Sequence, residues 1–172
     1  MFFMKITLMG YMGSGKTTIG KILSKKLDYK FYDLDDLIQK NQNNSIENIF
    51  KKYGELHFRN IENIVLKKFF FNKYKPYVLS VGGGTPCFYN NIYLMNKFSK
   101  TFYLKMDSFF LFKRLLLNEN RPMIYNFKKN DLFKFIMNHL FKRTFFYEKS
   151  HKKIVINNKS KNEIIKEIYK YI

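Results

Sequence analysis

Gly10-Tyr11-Met12-Gly13-Ser14-Gly15-Lys16-Thr17 is the stretch whose reading decides the fold. It matches G-x4-G-K-[ST]. An apolar run at residues 4–9 precedes it, and residues 17–27 follow with Ile19, Ile22, Leu23 and Leu27 on one helical face. A strand that ends in such a loop, and a helix that starts from it, form a phosphate cradle. The glycines let successive backbone N–H groups turn toward a β-phosphate, and the partial positive charge of the helix N-terminus adds to the attraction. In this pattern Lys16 reaches the β- and γ-phosphates, and the Thr17 hydroxyl enters the shell of a Mg²⁺ ion. Of the eight glycines in the chain, six lie in this loop or in Gly82-Gly83-Gly84. Glycine kept so selectively marks places where backbone must approach a ligand or take positive φ.

Outward from the loop, strand-length apolar segments alternate with helical patterns, the order of an α/β domain with a parallel sheet. Strands are expected at 4–9, ending at Phe31-Tyr32, at 77–81, at 101–105 and at 153–156. Helices are expected at 17–27, from Asp33 onward, over 45–71 with a break at Gly54, around 91–98, from near Asp107, over 131–147, and after Ser160. Phe58, Ile61, Ile64, Val65 and Phe69 form the inward stripe expected of the long helix. Ser160-Lys161-Asn162-Glu163 has capping-box spacing before Ile164, Ile165 and Ile168. Residues 118–130 are polar and without period, which reads as a lid-like loop in one domain spanning 1–172.

A phosphate cradle alone does not separate a GTPase switch, an ATPase motor and a small-molecule kinase. The acceptor must be read elsewhere. Asp33 and Asp35, at the end of the second strand, can face the same crevice, one holding Mg²⁺ through water and the other taking a proton from a substrate hydroxyl. Helix capping is the competing reading for this cluster, and Asp36 is assigned to it. Four arginines stand among twenty-eight lysines, at Arg59, Arg114, Arg121 and Arg143. In a chain so biased toward lysine, each marks a need for planar, two-pronged recognition of carboxylate or phosphate. Arg59 and Arg143 lie on helices and suit a carboxylate clamp. Arg121, beside Pro122, lies in the lid.

Composition bounds the rest. Phe, Tyr, Met, Ile, Asn and Lys supply 104 of 172 residues and Ala and Trp are absent, a skew that resembles nucleotide bias. The net charge of +19 raises nucleic acid as a partner, but the lysines are scattered in pairs and no long basic block exists, so a solvated surface is expected. The single Cys87 excludes an intrachain disulfide, suits a reducing compartment and is expected to be buried. The amino terminus is too short for a signal-peptide apolar region, and no apolar run is long enough to cross a bilayer. A soluble cytoplasmic protein without membrane or nucleic-acid partners follows. His57, His139 and His151 show no metal-ligand spacing and are read as ordinary surface or helix residues.

The cradle, Asp33-x-Asp35, Gly54-Glu55 through Phe58-Arg59 and Glu62, Gly82-Gly83-Gly84, Arg121-Pro122 and Arg143 occur in the order that resembles shikimate kinase from end to end. The resemblance implies a fold of nucleoside monophosphate kinase type, a five-stranded parallel sheet in order 2-3-1-4-5 flanked by helices. It implies transfer of the γ-phosphoryl of ATP to the 3-hydroxyl of shikimate, on the way to chorismate and the aromatic amino acids; a monomer is expected. Carried over, Gly13, Ser14, Gly15, Lys16, Thr17 and Thr18 hold ATP phosphates. Thr17 and Asp33 attend Mg²⁺, and Asp35 is the base, holding the shikimate hydroxyls. Arg59 and Arg143 hold the carboxylate, with Gly82, Gly83 and Gly84 beside the substrate. Arg121 comes from the lid to the phosphates, and Arg114 packs near adenine. The family's late Arg-x-Pro on the adenine side is replaced here by Lys159-Ser160-Lys161. A gluconate or nucleotide kinase remains the alternative enzyme, since two arginines facing a carboxylate would serve gluconate as well.

Overall fold

The computed structural model describes residues 4–117 and 129–172. Five strands, β1 (Lys5–Met9), β2 (Lys30–Asp33), β3 (Tyr77–Ser80), β4 (Lys100–Lys105) and β5 (Lys152–Val155), form one parallel sheet in the order β2-β3-β1-β4-β5. The order is the one the resemblance implied. Helices α1 (Lys16–Leu27), α2 (Leu34–Gln42), α3 (Ile46–Asn72), α4 (Asn91–Phe98), α5 (Ser108–Leu116), α6 (Lys129–Tyr147) and α7 (Lys161–Tyr169) connect and cover the strands, and residues Thr85–Cys87 form one 3-10 turn.

The central strands are apolar on both faces because helices cover both. Ile6, Leu8, Met9, Val78, Leu79, Phe102 and Leu104 are buried, together with the inward faces of α1, α3 and α7. The helix boundaries follow from local chemistry. Ser45 caps α3 by accepting from the Asn48 N–H at 3.1 Å, and Ser160 and Glu163 complete the capping box expected of α7. α3 is broken at Gly54, which takes φ 77° and ψ 175°.

Three expectations need correction. Ile64 is 55% exposed, whereas Phe58, Ile61, Val65 and Phe69 are buried. At about 100° per residue, Ile64 falls a quarter-turn off the stripe that Val65 and Phe69 continue. Asp33, not Asp36, caps α2: its Oδ1 accepts from the Asp35 N–H at 3.1 Å, while Asp36 is exposed in the first turn. Cys87 is only half-buried. Strand and helix ends otherwise differ from the expected ones by one or two residues. The expected lid lies almost wholly outside the described residues, with Arg121 and Pro122. Among the described residues, no helix is long and apolar enough to cross a membrane.

Candidate active site

Every parallel strand delivers its C-terminal end to one edge of the sheet, and that edge is where the predicted residues collect. Two adjoining clefts open there. The first, about 260 Å³, is lined by Gly13, Gly15, Lys16, Thr17 and Thr18 from the cradle and by Asp33, Asp35, Gly82 and Gly83 across it. The second, about 220 Å³, is lined by Asp35, Arg59, Glu62, Arg143 and all three glycines, with Ile46, Phe50 and Phe58 as its apolar wall. Met12, Asp35, Gly82 and Gly83 belong to both. Asp35 therefore stands at the boundary between a space lined by the cradle and one lined by arginines.

The cradle is shaped as its glycines require: Gly13 and Gly15 take φ 82° and 86°, and α1 begins at Gly15 without a side-chain cap. Lys16 Nζ donates to the carbonyls of Gly10 and Tyr11, each at 3.0 Å, and so sits at the loop's centre. The Thr17 hydroxyl donates to Asp33 Oδ2 at 2.9 Å, while the other oxygen of Asp33 is its cap on α2. One oxygen of Asp33 thus caps α2 and the other faces Thr17 beside the cradle. A hydroxyl and a carboxylate side by side at a phosphate cradle are the few hard oxygen donors that Mg²⁺ takes from protein while it keeps waters and phosphate oxygens, so the residues fit that ion. Ser14 is buried and lies outside both linings.

Asp35 has its carboxyl pushed up from the ordinary 3.8 to about 6, first by burial and then by the neighbouring charges of Asp33 and Glu62, against the pull of Lys16 and Arg59. Such a carboxylate is ionised at neutral pH and is still basic enough to accept a proton.

Arg59 is 6% exposed and held on three sides. Its Nη1 donates to Glu62 at 2.9 Å, its Nε and Nη2 donate to Glu55 at 3.2 and 3.1 Å, and its guanidinium lies over the rings of Phe58 and Phe88, 5.1 and 4.6 Å from their centroids. Glu62, fully buried, also accepts from the Thr85 hydroxyl at 2.6 Å. Asn91 donates to the Thr85 carbonyl at 3.0 Å and accepts from Asn63 at 2.6 Å. This satisfied buried chain aims the guanidinium into the second cleft. Gly84 makes room for it, since a Cβ there would stand 2.3 Å from Arg59 Nη2. None of the three consecutive glycines takes positive φ, so close approach, and not an unusual turn, is what they provide.

Arg143 enters the second cleft from α6, with its guanidinium 5.8 Å from the centroid of the Tyr11 ring. One turn later Tyr147, fully buried, donates its phenol to the Gly83 carbonyl at 2.6 Å. Arg114 Nη1 donates to the Gly13 carbonyl at 3.3 Å, which places it against the cradle and outside both linings. Lys159 pairs with Glu167 and Ser160 caps α7, so those two residues of the loop that replaces the expected adenine-side motif are engaged in holding that helix.

Sequence reasoning missed three contributors, Ile46, Phe50 and His139, and left Glu62 in its motif without a role. Ile46 and Phe50 line the second cleft, and their i,i+4 spacing ahead of Gly54 was a usable signal. Glu62 lies three residues from Arg59 and could have been paired with it on helical spacing alone. His139 is a helix residue, on α6, but makes a contact that reading did not include: its Nδ1 is 2.9 Å from the Tyr11 phenol, across 128 residues of sequence. No local signal reveals that contact.

A family model described as shikimate kinase matches residues 12–172. A shikimate kinase of Flavobacterium psychrophilum is 40% identical over 170 residues, 98% of this chain and 98% of that protein. The crystal structure of shikimate kinase from Bacteroides thetaiotaomicron superposes with a TM-score of 0.90 at 32% identity, covering 97% of each chain. Shikimate kinase from Acinetobacter baumannii, solved in complex with shikimate, gives a TM-score of 0.84 at 28% identity, over 98% of this chain and 92% of that one.

Proposed function

The chain belongs to the shikimate kinase family, and from that premise we propose that it transfers the γ-phosphoryl of ATP to the 3-hydroxyl of shikimate, with each residue of the two clefts in a definite role. The observation that carries the reading is the shared wall: a carboxylate raised to about 6 separates a phosphate cradle from a two-arginine pocket. Phosphoryl transfer needs that order of donor, base and acceptor, because the protein's contribution is positioning and charge stabilisation.

Gly13, Ser14, Gly15, Lys16, Thr17 and Thr18 hold the ATP phosphates, and Lys16 balances charge on the transferring group. Thr17 and Asp33 hold Mg²⁺, which when bound neutralises phosphate charge and fixes the phosphates' orientation. Arg59 and Arg143 hold the shikimate carboxylate, which takes the place of the half-exposed Glu55 on the Arg59 fork. Gly82, Gly83 and Gly84 keep the floor low enough for the ring to lie between them and Phe50. As the 3-hydroxyl oxygen bonds to the γ-phosphorus, Asp35 takes the hydroxyl proton and the bond to the β-phosphate oxygen breaks, releasing ADP. Arg121, outside the described residues, is assigned to the phosphoryl group, and Arg114 buttresses the cradle on the nucleotide side.

A monomer is the proposed working unit. The lone cysteine supports a cytoplasmic setting. The experiment is an ADP-release assay with purified protein, ATP, Mg²⁺ and a panel of shikimate, gluconate and nucleoside monophosphates. Turnover with shikimate alone is expected. Turnover with gluconate or a nucleotide but not shikimate refutes the reading.

A further inference from the structure

Tyr11 touches three parts of the site at once. Its carbonyl accepts from Lys16 Nζ at 3.0 Å, its ring lies beneath the Arg143 guanidinium, and its phenol meets His139 Nδ1 at 2.9 Å. The side chain is only 1% exposed, and burial pushes its phenol up to about 12. Burial, with Arg143 nearby, holds His139 down at about 4. The phenol therefore keeps its proton and the imidazole is neutral, and in the tautomer with hydrogen on Nε2 its Nδ1 accepts from the phenol. His139 lies on α6 one turn before Arg143, packed edge-on against Tyr11 and tilted against Phe135. One residue thus spans, from its main-chain carbonyl to its phenol, the lysine of the phosphate cradle and the helix that carries half of the carboxylate clamp.

We propose that the Tyr11–His139 hydrogen bond positions Arg143 for the acceptor carboxylate and couples that clamp to occupancy of the phosphate cradle. The proposal rests on the assignment of Arg143 to the acceptor carboxylate made above. The coupling has a physical route. A movement of Lys16 toward a phosphate acts on the Tyr11 carbonyl, and the anchored phenol carries the displacement to α6, one turn from the guanidinium. Without the bond, the ring can turn beneath Arg143 and α6 loses its tie to the cradle. Tyr11 and His139 are positioning residues, acting on the carboxylate through Arg143.

The test compares wild type, Tyr11→Phe, His139→Leu, the double variant and His139→Asn. Asparagine places Oδ1 where Nδ1 stood and differs little from histidine in helix propensity. The measurements are kcat and KM for shikimate, and shikimate affinity with and without ADP. Loss of one neutral hydrogen bond should raise the shikimate KM roughly threefold to tenfold in either single variant, with a smaller change in kcat. The double variant should be no worse than the worse single one, and His139→Asn should stay within about twofold of wild type. Any tightening of shikimate binding by ADP should shrink with the bond gone. An unchanged KM, additive losses in the double variant, or a fall in kcat at constant KM overturns the proposal. Should the truncated variants fail to fold, His139→Asn against His139→Gln decides, because glutamine puts its oxygen one bond further out; equal KM values overturn it. A wild-type protein without shikimate turnover removes the functional reading itself, and this inference with it.

Discussion

Replacing Asp35 with asparagine should move stability and turnover in opposite directions. Burial and two neighbouring carboxylates raise the Asp35 carboxyl from 3.8 to about 6. A raised carboxyl favours the folded state fully only below about pH 4, and that contribution is lost as pH rises through about 6. The difference corresponds to about 3 kcal/mol by which the ionised carboxylate weakens the fold at neutral pH. Asparagine keeps the shape and part of the cost of burying polar atoms, so a net gain of about 2 kcal/mol is expected, near 4–8 °C in unfolding midpoint for a chain of this size. Turnover should fall by roughly 10²–10⁴ because no group then receives the hydroxyl proton. Thermal unfolding of both proteins at pH 7.5 and pH 4.5, with the ADP-release assay alongside, checks this. The stability difference should be large at the higher pH and should shrink toward the lower one, as wild-type kcat/KM also falls below about pH 6. A variant no more stable than wild type at pH 7.5, or one whose advantage ignores pH, refutes the reasoning.

Arg59→Lys and Arg143→Lys should each raise the shikimate KM roughly 10- to 100-fold with a smaller effect on kcat, because a point charge replaces a fork whose bonds contribute on the order of 1.5–3 kcal/mol each; steady-state kinetics reads this directly. In Gly84→Ala the new Cβ meets Arg59 Nη2 at 2.3 Å and forces the guanidinium from the buried Glu62. A loss of roughly 3–5 kcal/mol in urea unfolding should accompany a weakened acceptor site. Asp33→Asn should raise the Mg²⁺ concentration for half-maximal turnover and leave shikimate affinity unchanged, measured by metal titration of the assay and by calorimetry.

What could be read from the sequence follows the range of the interactions involved. The phosphate cradle, Asp33 and Asp35 are set by residues adjacent in sequence, so motif and flanks sufficed. The strand order came only through resemblance, because each pairing of β1 joins segments about seventy or more residues apart, and periodicity carries no information about partners. Glu62 was within reach, three residues from Arg59, but its burial was not, since that depends on Thr85 and Asn91 arriving from elsewhere. Ile64 failed for a simpler reason: a β-branched apolar residue beside the stripe has the composition of the core without its angle. The three consecutive glycines were recognised as a ligand-approach signal, yet what Gly83 and Gly84 admit most closely is the protein's own Arg143 and Arg59, and Gly82 faces Thr85.

The sheet order also constrains how the chain can be made. Among the described residues β1 pairs with β3 and β4 and β2 with β3, so neither strand of the first 76 residues has a partner within that stretch. During synthesis the cradle, both aspartates and Arg59 leave the ribosome before any β-ladder exists. They must wait as helices and unpaired edges until Tyr77–Ser80 slides between β1 and β2. Phosphate binding is therefore a property of the chain only after β3 has emerged, and a nascent fragment ending at α3 should neither retain nucleotide nor resist proteolysis.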